Sequence, residues 1–110
     1  MLNVAVLVSG GGTNLQALLD SEARGENPNG KITLVVASKP GVYALERAAK
    51  AGVEGVVVRR KDYATSEAFD AALLETLKSH NIDLVVLAGF LSVLGPSIIE
   101  AYPRRILNVP

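Results

Sequence analysis

The chain has 110 residues, the size of one domain, and its 49% apolar and 20% charged residues exclude a disordered or low-complexity protein. Eleven Lys and Arg balance eleven Asp and Glu, so no net charge attracts nucleic acid or an anionic membrane, and the lack of cysteine excludes disulfide scaffolds and thiolate chemistry. The longest apolar stretch, residues 84–91, is far below the roughly 20 residues of a membrane-spanning helix, and residues 2–8 lack the flanks of a signal peptide. We therefore expect a soluble, cytoplasmic domain.

Short apolar runs alternate with segments of helical periodicity along the whole chain. Strands are predicted at residues 3–8, 32–37, 55–58, 83–88 and 106–108, because each run is brief and bounded by turn-forming residues. Helices are predicted at residues 13–24, 42–51, 66–79 and 96–102. Thr13 or Asn14 is the expected N-cap of the first helix.

This alternation predicts an α/β fold, a doubly wound parallel sheet of the Rossmann-like type with three α/β/α layers. Right-handed crossovers give the strand order 3-2-1-4, with residues 106–108 starting a fifth strand beside the fourth. Ligands bind such sheets at the carboxyl ends of the strands, where the strand order reverses. Thr13 and Gly89 are therefore expected on opposite sides of one crevice.

A glycine-rich turn follows the first strand at residues 9–14. Glycines there let backbone N–H groups approach an anion, and the following helix adds its positive end. Three interpretations remain: a phosphate-monoester site, a dinucleotide site or a tight structural turn. The Walker loop is excluded because it needs a lysine, and the dinucleotide pattern has Leu15 in place of its third glycine and Lys39 near where an acid is expected.

The other polar residues favour plain structural roles when they are taken singly. His80 ends a helix, where a capping role is expected, while Asp70 and Glu75 are expected to face solvent. Asn108 is typical of a turn, and Gly89 is typical of close packing. The pattern contains no paired carboxylates and no metal-ligand spacing.

Three segments together resemble a known family: VLVSGGGTNLQALL (6–19), IDLVVLAGFLSVLGPSII (82–99) and RRILNVP (104–110). Over essentially all of its length the chain resembles the N-terminal half of the phosphoribosylglycinamide formyltransferase family, the folate-dependent transformylases of purine synthesis. The resemblance implies formyl transfer from 10-formyltetrahydrofolate to the amine of glycinamide ribonucleotide.

The resemblance also implies roles for individual residues. The turn residues Gly12, Thr13 and Asn14 match those that hold the substrate 5′-phosphate, and Asn108 matches the asparagine that hydrogen-bonds the formyl oxygen. One segment of matching residues borders the two substrates and the pteridine of the folate: Gly89, Leu91, Ser92, Val93 and Leu94. No metal is implied.

The family motif Asn-x-His-Pro-Ser has no histidine in this sequence, which reads Asn108-Val109-Pro110. We therefore expect residues 1–110 to form a single, truncated N-terminal nucleotide-binding subdomain that is inactive alone and that forms a homodimer or binds a complementing C-terminal half. The alternative is a non-catalytic module that binds a phosphate ester or an NADP-like nucleotide. Neither nucleic acid nor a membrane is expected as a partner.

Overall fold

The computed structural model describes residues 1–109 and contains one five-stranded, all-parallel sheet with helices on both faces. The strands are β1 (Leu2–Val8), β2 (Gly30–Ala37), β3 (Glu54–Val57), β4 (Leu84–Ala88) and β5 (Ile106–Val109). The helices are α1 (Thr13–Ala23), α2 (Tyr43–Lys50), α3 (Ser66–Ser79) and α4 (Pro96–Ala101), with a short 3-10 helix at Arg60–Asp62. The order β3-β2-β1-β4-β5 confirms the predicted topology, including the fifth strand.

Two apolar layers hold the helices to the sheet. Because successive residues of a strand face opposite sides, β1 contributes Val4, Val6 and Val8 to the layer under α1 and α2, and Ala5 and Leu7 to the layer under α3 and α4. Both sets are buried, as expected for the central strand of a parallel sheet. Within residues 1–109, no helix combines the length and the apolar character that a membrane span requires.

The face of the sheet that carries α1 is open over β4 and β5. A trough of about 500 Å³ lies there, and its walls include Leu18 of α1, Val86 of β4 and Leu107 of β5. Leu107 is 52% exposed, whereas Val86 is buried. The edge strand β5 therefore presents apolar side chains and unpaired backbone groups to the outside.

His80 ends α3 and lies at the amino-terminal end of the sheet, which confirms the predicted capping position. Its Nδ1 lies 2.7 Å from the carbonyl oxygen of Thr76, and its Nε2 lies 2.9 Å from a carboxylate oxygen of Glu54. The hydrogen bond with Glu54, followed by that with Thr76, raises the pKa of His80 above its ordinary value, because the imidazolium donates to both acceptors.

This contact predicts a small pH dependence of stability. A raised pKa in the folded state means that the added stability is fully present below the unfolded pKa and is lost as pH rises through the folded pKa. Because the pair is partly exposed, we expect a contribution of only about 0.2–1 kcal/mol. Titration of His80 by NMR should show a lower pKa in the Glu54→Gln variant, and an unchanged pKa would contradict the assignment to Glu54.

Candidate functional site

The glycine turn forms the N-terminus of α1. Gly12 is the N-cap, with φ 82° and ψ 33°, and its carbonyl oxygen accepts the first helical hydrogen bond from the N–H of Gln16 at 2.8 Å. The following N–H groups of a helix have no acceptor within the helix, and no acidic residue lies in the first turn of α1. Within the described chain, this end of the helix therefore keeps its positive partial charge, which suits an anion.

The expected N-cap was wrong, because Gly12 occupies that position instead of Thr13 or Asn14. The left-handed φ of Gly12 favours glycine, and a methyl group at Gly12 would lie 2.8 Å from Cβ of Ala44 in α2. The close approach of α2 to the turn therefore selects glycine, independently of any ligand.

A buried serine joins the ends of three strands. Ser9 follows β1 and is 4% exposed, and its Oγ lies 2.7 Å from Oγ of Ser38 at the end of β2. The same Oγ accepts a hydrogen bond of 2.9 Å from the N–H of Leu91, which follows β4. The loops after β1 and β4 therefore meet where the strand order reverses, as predicted for the crevice.

Sequence reasoning did not select Ser9 as a functional residue. The available signal was a hydroxyl placed directly after a fully buried strand, at the point where the topology reverses. A buried polar group at such a position needs partners, and here those partners are the two neighbouring loops.

We expect the Ser9→Ala variant to lose about 1–2 kcal/mol of stability, because the N–H of Leu91 and the hydroxyl of Ser38 each lose a partner. The Ser38→Ala variant is the matched control, since it removes only the bond between the two hydroxyls. In urea denaturation, the free energy of unfolding of Ser9→Ala should be lower than that of Ser38→Ala. Equal losses would show that the bond to Leu91 contributes nothing.

Residues 89–95, here called the β4–α4 segment, carry most of the predicted substrate contacts. Gly89 has φ 70°, and a methyl group there would meet no atom within 4 Å beyond its chain neighbours, so it serves a left-handed turn and not the close packing that was expected. Ser92 and Leu94 are half-buried and line a pocket, whereas Leu91 and Val93 are 79% and 88% exposed. Of the five residues predicted to border the substrates, the structure thus brings Ser92 and Leu94 to the pocket and leaves the other three outside its lining.

The pocket beside this segment is open and has a volume of about 500 Å³. Its wall is largely apolar and consists of Leu87, Ser92, Leu94, Ile99, Tyr102, Pro103, Arg104 and Ile106. Tyr102 is 3% exposed, and burial, with the Asp83 carboxylate as a second cause, raises the pKa of its phenol. A mostly apolar wall with one cationic residue, Arg104, suits a flat organic ring that carries polar groups at its edge.

Asn108 lies on β5, on the face of the sheet that carries the same pocket. It is paired in register with Leu87 of β4, and both Leu87 and the alternate β5 residue Ile106 line the pocket. Because strand residues two apart share a face, the exposed Asn108 is on the pocket side of the sheet. The predicted formyl-binding residue and the predicted ring-binding segment therefore adjoin one another.

The expectation that Asp70 faces solvent was wrong, whereas Glu75 is exposed as expected. Asp70 is 3% exposed, and its Oδ1 accepts a 2.7 Å hydrogen bond from the N–H of Gly95 at the start of α4. Asp70 lies on the apolar stripe of α3, three and seven residues before the buried Leu73 and Leu77. It therefore holds the far end of the β4–α4 segment.

Within residues 1–109, no three His, Asp or Glu side chains are grouped so that they could hold a metal ion.

Comparison with known proteins identifies the family. The formyl transferase family model matches residues 2–110. The phosphoribosylglycinamide formyltransferase of Haemophilus influenzae is 38% identical over 109 residues, which are 99% of this chain and 51% of that protein. The trifunctional purine biosynthetic protein adenosine-3 of Chironomus tentans is 43% identical over 107 residues, which are 96% of this chain and 8% of that protein.

Solved structures agree with the sequence comparison. The crystal structure of glycinamide ribonucleotide transformylase 1 from Symbiobacterium toebii superposes with a TM-score of 0.93 at 42% identity, covering 98% of this chain and 50% of that one. The chain thus spans about half the length of the single-function relatives that it matches. The family model covers residues 2–110 and a solved structure at 42% identity has the same fold, so the chain belongs to the formyl transferase family.

Proposed function

We propose that this chain is the phosphate-binding half of a phosphoribosylglycinamide formyltransferase, which transfers a formyl group from 10-formyltetrahydrofolate to the amine of glycinamide ribonucleotide. The observation that carries the proposal is the hydrogen bond between Ser9 and Leu91, which joins the glycine turn to the segment beside Asn108. This bond links the polar turn to the segment that supplies Ser92 and Leu94 to a largely apolar pocket. That combination suits a phosphorylated substrate and a ring-bearing formyl donor.

The phosphate monoester is assigned to the N-terminus of α1. Backbone N–H groups of Gly12, Thr13 and Asn14 are the proposed donors, and the helix dipole favours a dianion there. The NADP-like alternative has no observation in its favour, because Leu15, at the third glycine position of the dinucleotide pattern, is fully buried in the core.

The formyl donor is assigned to the pocket next to Asn108. In the transfer, the substrate amine forms a bond to the formyl carbon, the bond from that carbon to N10 of the folate breaks, the amine loses a proton and N10 gains one. The Asn108 side-chain amide is the proposed donor to the formyl oxygen, where negative charge develops during attack.

The proton transfers require an acid–base group beside Asn108, and the histidine of this sequence does not supply it. The single histidine, His80, lies at the opposite end of the sheet and is hydrogen-bonded to Glu54. We therefore propose that the acid–base residues come from a second segment or a second copy that covers the β5 edge, and that residues 1–110 alone do not turn over. A cytoplasmic location is proposed with this activity.

Ligand-dependent unfolding tests the phosphate assignment without requiring turnover. Glycinamide ribonucleotide at about one hundred times its dissociation constant should stabilise the chain by roughly 2.7 kcal/mol. The dephosphorylated riboside is the matched control and should give no shift, and NADP at the same concentration should give none either. A shift with the riboside equal to that with the ribonucleotide would contradict a phosphate site at α1.

A further inference from the structure

Helix α2 contacts the glycine turn from behind, through two residues that the sequence did not single out. A methyl group at Gly12 would lie 2.8 Å from Cβ of Ala44 and 3.4 Å from Cδ of Arg47. Nε of Arg47 donates to the carbonyl oxygen of Gly11 at 2.8 Å, and its Nη1 donates to Oε1 of Gln16 in α1 at 3.2 Å. One guanidinium therefore joins α2, the turn and α1.

The bond to Gly11 fixes the direction of a neighbouring donor. The C=O of Gly11 and the N–H of Gly12 belong to one planar trans peptide unit, so they point in opposite directions. Because the C=O of Gly11 is directed at Arg47, the N–H of Gly12 is directed away from α2. The Gly12 N–H therefore points to the side of the turn that α2 does not cover.

Arg47 is itself held in place. Its guanidinium lies over the ring of Tyr43 at 4.8 Å from the centroid, and among the described residues it forms no ion pair with a carboxylate. Its planar fork can donate two hydrogen bonds in fixed directions, which a lysine cannot reproduce. The Arg47 side chain thus orients the turn and also places a positive charge behind it.

We infer that Arg47 is a positioning residue for the phosphate site: it orients the Gly12 N–H toward the bound phosphate without touching the ligand. This inference rests on the proposed function, since it needs a phosphate at the N-terminus of α1. Helix α2 would then contribute to phosphate binding indirectly, by orienting the turn and not by contacting the phosphate.

Lys50 supplies a matched control for the test. It lies on the same helix and over the same ring, with Nζ 5.3 Å from the Tyr43 centroid, and its hydrogen bond goes to the hydroxyl of Tyr43. The Lys50→Met variant therefore loses the same unit of charge as Arg47→Met but keeps the bond to Gly11.

The experiment measures binding of inorganic phosphate and of glycinamide ribonucleotide to the full chain by calorimetry, with the amide NMR signal of Gly12 as a second readout. We expect Arg47→Met to raise both dissociation constants at least tenfold and to reduce the phosphate-induced shift of the Gly12 amide. Arg47→Lys should recover part of the affinity, because its ammonium can still donate to one carbonyl. Lys50→Met should remain within twofold of the wild type.

Each outcome decides between the possibilities. Unchanged affinity in a folded Arg47→Met protein overturns the inference. Equal weakening of binding in Arg47→Met and Lys50→Met also overturns it, because the effect would then come from the lost charge and not from the orientation of the turn. If Arg47→Met does not fold, Arg47→Lys decides, with at least threefold weaker binding expected and unchanged binding overturning the inference. A wild-type chain that binds neither phosphate nor the ribonucleotide contradicts the proposed function itself.

Discussion

Replacing Gly12 with alanine should destabilise the chain and abolish its binding of phosphate. The left-handed backbone at φ 82° costs a residue with a side chain roughly 1–2 kcal/mol. The added methyl would also lie 2.8 Å from Cβ and 3.0 Å from Cα of Ala44, an overpacked contact that costs about 1–3 kcal/mol. We therefore expect a total loss of about 2–5 kcal/mol, with α2 pushed away from the turn.

Three further variants separate the backbone strain from the steric clash. Gly11→Ala places its methyl in open space at a residue without a positive φ, so its stability should stay close to that of the wild type. Adding Ala44→Gly to Gly12→Ala removes the 2.8 Å contact with Cβ and keeps the strained backbone, so a double-mutant cycle that includes the single Ala44→Gly variant should give a favourable coupling of about 1–2 kcal/mol. Urea denaturation of the wild type, the three single variants and the double variant measures these differences. If Gly12→Ala proved as stable as Gly11→Ala, the packing against α2 would not constrain the turn.

The topology could be predicted from the sequence because local patterns determine it. Continuous apolar runs such as β1 and β2 are typical of strands buried on both faces, and their alternation with helices indicates a doubly wound sheet with right-handed crossovers. In the predicted strand order β1 and β4 are neighbours, so the sequence predicts that the glycine turn and the β4–α4 segment lie next to each other at the carboxyl ends of these strands. The short 3-10 helix at Arg60–Asp62 was missed because three residues carry no detectable period.

The parts of the site that could not be predicted depend on contacts between distant residues. Ser9 and Leu91 are 82 positions apart, and Arg47 and Gly11 are 36 positions apart, so no local period relates them. The burial of Asp70 was mispredicted for a different reason. Its position lies on the apolar stripe of α3, but its charged side chain suggested exposure to solvent. The physical reason for its burial, an unpaired N–H at the start of α4, lies 25 residues further along the chain.

The contact between Asp70 and Gly95 predicts a second large effect, at the other end of the β4–α4 segment. A methyl group at Gly95 would lie 2.7 Å from Cγ, 2.8 Å from Oδ2 and 3.0 Å from Oδ1 of Asp70, and this carboxylate is buried under α4. The Gly95→Ala substitution would therefore displace the carboxylate and break its hydrogen bond with the Gly95 N–H. Overpacking at about 1–3 kcal/mol and an unpaired buried group at about 1–3 kcal/mol together predict a loss of about 2–6 kcal/mol.

Variants of the acidic residues on α3 test whether the carboxylate is the cause. Asp70→Ala should cost about 2–3 kcal/mol because the N–H of Gly95 loses its acceptor, whereas Asp70→Asn keeps an acceptor oxygen and should cost about half as much. Glu75→Ala is the matched control on the exposed side of the same helix and should change stability by at most about 0.5 kcal/mol. In the double variant Asp70→Ala/Gly95→Ala the methyl group has room, so the loss should be smaller than the sum of the single losses. Strict additivity in urea denaturation would show that the two residues act independently, and the segment that lines the pocket would then have no support from α3.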